Sequence, residues 1–366
     1  MGKSMTYEYW LSLLMIYSFI ALILFPIVIH LKGNLRLSSK IDNLLVLGLA
    51  TTFICVFGLR GFEQGTDTNN YVTFFSSVTN YSSYSEFSSE NRNSGLGFFI
   101  IAKLIHLFSD DPQVFLFVVA AIFISLFTIS VFRFVEYNRF ILFFSFLSLF
   151  FFYQLGINII RDGISLMLAV VAISYDSTNK RLQWVYFLFS ILFHYTTIIL
   201  IVGWFIVKKL ENIRTALIIW TLCLLLSVVG FGLQNILTIL KLDFINRFLT
   251  FADYTSYVDD ATSQGISING ILFNLIFLVY GLYMIKKDES QDKFYKTVFL
   301  AYCYLNAIYM LGYGIKASGR LGIISWVLLP YIVGLPIIKY GLVKSKVFLW
   351  YVFAILLGCF SFFYIL

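Results

Sequence analysis

The chain is 366 residues long, 60% of them hydrophobic and only 12% charged, with a formal charge of +7 and a mean hydropathy of +0.87. Soluble domains carry about 25% charged residues, so a water-soluble globular fold is excluded. The basic excess reads as the Lys and Arg bias of cytoplasmic loops rather than as a nucleic-acid surface, and with no polar segment longer than 60–94 or 231–265, residues 1–366 form one integral membrane domain.

Apolar runs of about 17 to 25 residues, the length that crosses a bilayer as a helix, recur from end to end. They fall near 8–31, 42–59, 113–132, 140–157, 159–175, 213–230, 266–285, 295–313, 318–338 and 346–366. Two further stretches, 95–108 and 182–207, suit a span, a re-entrant hairpin or an interfacial helix; the first is short and the second is interrupted by His194. The expectation is therefore 10–12 transmembrane helices. The first run outlasts a signal-peptide core and is expected to stay as an anchor. Orientation follows from Lys32, Arg36 and Lys40, then Lys208, Lys209 and Arg214, then Lys286, Lys287, Lys293 and Lys296, then Lys339, Lys344 and Lys346. Placing these clusters in the cytoplasm leaves both termini and both long loops outside. Cys55, Cys223, Cys303 and Cys359 each lie alone in an apolar run, as small packing residues.

Along that frame, polar residues gather where hydrocarbon ends. The first outer loop opens "RGFEQGTDTNNY" at Arg60. Gly61 and Gly65 permit a tight turn, and Thr66 or Asp67 is placed to cap a short helix carrying Tyr71, Phe74 and Phe75. In "SDDP" the acids read as an N-cap with Pro112 at the first helical position. Further on, "NIIRDGISLMLAVVAIS" places Arg161 at the head of an apolar helix, with Asn158 three residues earlier on the same expected helix face. "KASGRLGIISWVLLP" does the same for Arg320. An ionisable group bordering a membrane helix is costly unless it faces the bundle interior, which makes it a functional candidate. Arginine also grips phosphate oxygens through a planar fork. Arg60, Arg161 and Arg320 together would make an anion site; each singly also suits a snorkelling anchor. In the second outer loop, Leu233, Ile236, Leu237, Leu240, Phe244, Ile245 and Phe248 are spaced as a surface amphipathic helix. Tyr254, Tyr257 and the acids Asp253, Asp259 and Asp260 follow as a possible sugar groove, with Arg247 the residue there placed to touch phosphate.

Three of these signals, in order, resemble the EpsG-like, Wzy-type polysaccharide polymerases. They are Arg60, Gly65, Thr66, Asp67 and Tyr71; then Asn158, Arg161, Ile164 and Ser165; then Phe193 and His194, with Arg320 a weaker match. Glu90 is displaced from the position where such families carry an acid. The resemblance implies an all-α polytopic bundle similar to the GT-C-type transferases, with amphipathic or re-entrant helices on the periplasmic side. It implies transfer of a glycan from undecaprenyl diphosphate onto an incoming lipid-linked repeat unit, at the outer face of a bacterial cytoplasmic membrane. The implied partners are an undecaprenyl-diphosphate-linked oligosaccharide, membrane lipids and a chain-length regulator protein.

The chemistry suits the residues. Breaking the bond from the anomeric carbon to phosphate leaves negative charge on the diphosphate, which preorganised arginines stabilise. The attacking sugar hydroxyl must lose a proton, and Asp67 and His194 compete as its base; His194 also suits a packed core imidazole. Asn158 would orient Arg161 or bind a sugar hydroxyl. The sequence has no DxD pattern, so metal-independent transfer without a cofactor is expected. The rivals are a flippase or transporter for lipid-linked solutes and a polysaccharide ligase. A transporter should show an internal repeat, and the "RGFEQGTD" loop has no counterpart in the second half.

Overall fold

A computed structural model describes residues 38–90, 95–239, 241, 268–287, 292–312 and 318–340. Among them every regular element is helical. The protein is a polytopic helical membrane protein. Four described helices are long and apolar enough to cross a membrane: Ser39–Gly58, Pro112–Phe134, Ile268–Lys286 and Gly319–Pro336. A fifth span arises if Arg139–Leu147 and Phe150–Ile157, bent by 79° at their junction, count as one.

The difference from the expected ten to twelve has identifiable sources. Runs 8–31 and 346–366 lie outside the described residues. The run 159–175 becomes Ile160–Ser174, whose 15 residues reach only about 22 Å at 1.5 Å per residue, short of a hydrocarbon core about 30 Å thick. Ile213–Val228 is nearly as short. Lys293–Leu311 is long enough but is diluted by Lys293, Lys296 and its tyrosines. Of the two ambiguous stretches, the first is the eleven-residue helix Leu96–His106. The second breaks in two at His194, between Lys180–Phe193 and Ile198–Val207.

The described helices group into two compact units, one from residues up to Tyr195 together with those from Val333, the other from Thr196–Ile332. The first contains α1 (Ser39–Gly58), α2 (Thr68–Ser77), α3 (Tyr84–Glu90), α4 (Leu96–His106), α5 (Pro112–Phe134), α6 (Arg139–Leu147), α7 (Phe150–Ile157), α8 (Ile160–Ser174) and α9 (Lys180–Phe193). Its centre is α8, packed against α9 and α5, with α7 just before it. From Ile160 to Ile173 every residue of α8 except Arg161 is buried. A helix apolar all round is a core helix, so a single charged side chain escaping that burial marks where the core opens.

Local chemistry sets the ends of these helices. Asp111 caps α5 by accepting from the Gln113 N–H at 2.9 Å, with Pro112 in the first turn, as the "SDDP" pattern predicts. Asp42 of α1, fully buried, accepts from the Arg139 and Phe140 N–H groups at 2.9 and 3.2 Å. It thus serves as the missing cap of α6 from another helix. Phe53, Phe57, Phe123, Phe127, Phe146 and Phe152 interlock as stacked, tilted and edge-on ring pairs between α1, α5, α6 and α7. Gly156 lets the Phe57 ring approach the α7 backbone; a Cβ there would collide with it.

The second unit holds α10 (Ile198–Val207), α11 (Ile213–Val228), α12 (Leu233–Ile239), α13 (Ile268–Lys287), α14 (Lys293–Leu311) and α15 (Ser318–Trp326), and α16 (Leu329–Tyr340) bridges its end in sequence. Its helices are pinned by one buried polar cluster. Asn306 accepts from Trp220 Nε1 at 2.8 Å and donates to Asn274 Oδ1 at 2.6 Å and Ser325 Oγ at 3.0 Å. Asn274 also accepts from Trp326 Nε1 at 2.7 Å. Interhelical bonds of this kind replace the hydrophobic drive that lipid tails cannot supply. Helix α12 is the described helical part of the expected amphipathic segment; residues 242–267, including Arg247 and Tyr254, lie outside the described residues.

Candidate active site

The site is assembled in the first unit around the gap between α7 and α8. Helix α7 stops because Ile159, at φ −113° and ψ 53°, leaves the helical region; α8 then restarts at Ile160. Asn158 therefore lies in the break rather than on the face of α8, a correction to the helix-face expectation for Asn158 and Arg161. The break turns its polar backbone and side chain toward the loop that opens at Arg60 and the helix α2 that follows it. Asn158 Oδ1 accepts from the Thr66 N–H at 2.8 Å, its amide nitrogen donates to Gln154 Oε1 at 2.6 Å, and its carbonyl accepts from the Tyr71 hydroxyl at 2.8 Å. The same hydroxyl accepts from the Ile160 N–H at 3.2 Å. Loop and break are thus stitched across 92 residues of sequence.

Gly65 makes the approach possible. Its φ of +85° is closed to most side chains, and a Cβ there would meet Asn158 Oδ1 and Ile157 Cγ2, each at 2.5 Å. Asp67 occupies the N-cap position of α2, but its carboxylate makes no capping bond to the backbone, contrary to the cap expected of Thr66 or Asp67.

Arg60 and Arg161 occupy different surroundings. Arg60 is 1% exposed and donates to the Phe57 carbonyl at 2.6 Å, Thr68 Oγ1 at 3.0 Å and the Ile157 carbonyl at 3.4 Å. Its guanidinium ties α1, the start of α2 and the end of α7 together. Gln113 adds to the joint by donating to the Gly58 and Arg60 carbonyls at 2.6 and 3.3 Å. Arg161, by contrast, is only half-buried. It hydrogen-bonds to the Tyr71 hydroxyl, whose pKa burial pushes up; Arg161 works against that rise, while the nearby Asp67 and Asp162 carboxylates add to it. The Tyr84 hydroxyl is raised by burial too and is partly offset by the same guanidinium. Arg161, Tyr71, Tyr84, Asp67 and Asp162 therefore share one electrostatic neighbourhood.

His194 enters from α9. It is the extended residue that ends the helix, at φ −156° and ψ 118°. Its Nδ1 lies 2.8 Å from Asp162 Oδ1, with 7% and 11% of the two side chains exposed. Tyr195 stacks on its ring, with centroids 5.3 Å apart and planes 8° from parallel. One turn beyond Asp162, Ser165 Oγ is within 2.6 Å of the Ser190 carbonyl and 3.1 Å of the His194 carbonyl. Gly95, at the start of α4, sits against the Phe193 carbonyl, where a Cβ would collide.

The structure thus brings Arg60, Thr66, Asp67, Tyr71, Asn158, Arg161 and His194 into one region of the first unit. Arg320 belongs to the second unit, in the first turn of α15. Asp162 is the functional candidate that motif reading passed over. Its signal was present: a carboxylate beside Arg161 in an otherwise apolar helix. His106 pairs with Asp110 and the Phe75 carbonyl, each at 2.8 Å, and stacks on the Phe75 ring. Against models of protein families, residues 43–366 match the EpsG family. No curated protein and no solved structure matches the chain.

Proposed function

Because the chain belongs to the EpsG family, which points to a role of the polysaccharide-polymerase type, we propose that it joins lipid-linked oligosaccharide repeat units. In this reading the glycan carried on undecaprenyl diphosphate passes to an incoming undecaprenyl-diphosphate-linked repeat unit. The reaction takes place at the extracytoplasmic face of a bacterial cytoplasmic membrane, and a chain-length regulator is a partner.

The observation that carries the proposal is Arg161. It heads a helix whose following residues, through Ile173, are all buried, and it remains half-buried beside Tyr71 and two carboxylates. A guanidinium in that position can hold the departing diphosphate through paired N–H groups and stabilise the charge that grows on its leaving oxygen. Asp67 and His194 supply basic groups for the attacking hydroxyl. Asn158 and Thr66 hold the loop that carries Asp67, Tyr71 offers a hydroxyl beside Arg161, and Arg60 keeps the loop seated on the helix break. Arg247 and Tyr254 in the second outer loop, and Arg320 at the head of α15, are further candidates for phosphate and sugar contact. Membrane lipid surrounds the apolar helices, and no nucleic acid is involved.

The test is direct. The purified protein is incubated with a lipid-diphosphate-linked repeat unit isolated from cells that make the polymer. A ladder of longer lipid-linked products is expected, and a chelator should leave its rate unchanged. One added unit on a different acceptor would instead identify a ligase. Transport across vesicles without covalent change would identify a flippase.

A further inference from the structure

We propose that Asp162 is a positioning residue that makes His194, rather than Asp67, the base of the transfer, an inference that rests on the polymerase reading. The geometry separates the two candidates. The backbone of His194 is held at two atoms, its N–H by the Ser190 carbonyl at 3.1 Å and its carbonyl by Ser165 Oγ at 3.1 Å, and its ring nitrogen Nδ1 lies 2.8 Å from Asp162 Oδ1. Asp162 and Ser165 stand one turn apart on α8, so one helix face grips both the ring and the backbone of the residue that breaks α9. Asp67 has its carboxylate off the helix cap it occupies. A base must be held in its reactive geometry by rigid neighbours to be effective, and α8, buried from Asp162 to Ile173, is a packed core helix that gives such support.

The chemistry follows from the pairing. With a carboxylate at Nδ1, the neutral imidazole carries its proton there and its lone pair on Nε2. The acceptor hydroxyl oxygen forms the new bond to the anomeric carbon. The bond from that carbon to phosphate oxygen breaks, its electron pair leaving on the diphosphate toward Arg161. The hydroxyl proton passes to His194 Nε2, and Asp162 stays ionised, stabilising the imidazolium. Other charged groups nearby are engaged elsewhere: in α4, which packs against α9, Lys103 donates to the Tyr81 carbonyl at 2.7 Å and His106 pairs with Asp110.

The experiment uses the full chain in lipid nanodiscs with histidine labelled at both ring nitrogens. The sequence has only three histidines, and His194→Gln identifies the signal of interest. Nitrogen chemical shifts should report the Nδ1-protonated tautomer at His194 in the wild type. Asp162→Asn, whose amide donates to Nδ1, should switch it to the Nε2-protonated form while the His106 signal stays put. With the isolated lipid-diphosphate-linked repeat unit, Asp162→Asn and His194→Gln should each slow polymer formation by about 10²- to 10⁴-fold. The double variant should be no slower than either, and Asp162→Glu should recover part of the rate. An unchanged tautomer in Asp162→Asn overturns the proposal, as does a full rate in that variant alongside a dead Asp67→Asn. In both cases a wild-type ladder leaves the polymerase reading standing. Absence of any ladder from the wild type brings down both.

Discussion

At the head of α8, consecutive residues divide the labour: Arg161 is half-buried beside Tyr71, while Asp162 turns inward to His194. Successive helical residues point about 100° apart, so one turn serves an opening on one side and the core on the other. If Arg161 holds phosphate through a fork, Arg161→Ala should abolish polymer while the protein still reaches the membrane. Arg161→Lys should restore little, because an ammonium cannot bind two oxygens in parallel; polymer length on gels reads the outcome, and full activity in the Lys variant would remove the bidentate role. Tyr71 makes a pH prediction. Its hydroxyl is raised above the ordinary tyrosine value of about 10, so the folded protein keeps this proton where the unfolded chain would release it. The associated stability is fully present below about pH 10 and is lost as pH climbs through the folded value. Thermal melts should therefore fall more steeply above about pH 10 in the wild type than in Tyr71→Phe. At neutral pH the same variant should be less stable by about 1–3 kcal/mol, having left the Asn158 carbonyl and the Ile160 N–H without their partner.

At the scale of elements, the decisive features are interruptions. The α7–α8 break exposes Asn158 to the loop, and the α9–α10 break presents His194. Both are held by close backbone contact as well as by side chains. Gly163 lies against the Leu155 carbonyl across the first break, and a Cβ there would collide with that backbone oxygen. Gly163→Ala should force α7 away from α8, lowering thermal stability by about 1–3 kcal/mol and cutting polymer synthesis out of proportion to the lost protein. A differential scan paired with the ladder assay separates the two effects. Hydropathy located both breaks only roughly. The His194 interruption was visible as a polar residue inside an apolar run, and the runs 140–157 and 159–175 already divide at Asn158; what hydropathy misplaced was Asn158 itself, expected on the face of α8 with Arg161, because Asn and Ile are both tolerated in helices and only the backbone angles of Ile159 reveal the stop.

At the scale of the whole molecule, membrane helices are fastened by different means in the two units. The first relies on interlocked aromatic rings and the Arg60 joint. The second relies on the Trp220, Asn274, Asn306, Ser325 and Trp326 cluster. Asn306→Ala would leave the buried Trp220 indole N–H without its acceptor, at about 1–3 kcal/mol, and remove the bonds that tie Asn274 and Ser325 to α14, so detergent melts should show a marked loss of stability, larger than for Asn306→Gln.

The sequence by itself determined that this is a many-helix membrane protein, where most of its helices run, and where its polar residues gather at loop, break and helix end. Those properties are local sums: apolar length is set against bilayer thickness, and a motif is a matter of spacing along the chain. Only the tertiary structure decided that Arg60 is a buried joint while Arg161 is half-buried, that Asn158 serves the loop instead of α8, and that Asp162 belongs with His194. Those outcomes depend on how helices rotate and pack against one another, and contacts such as Thr66 to Asn158, 92 residues apart, leave no trace in local hydropathy or spacing.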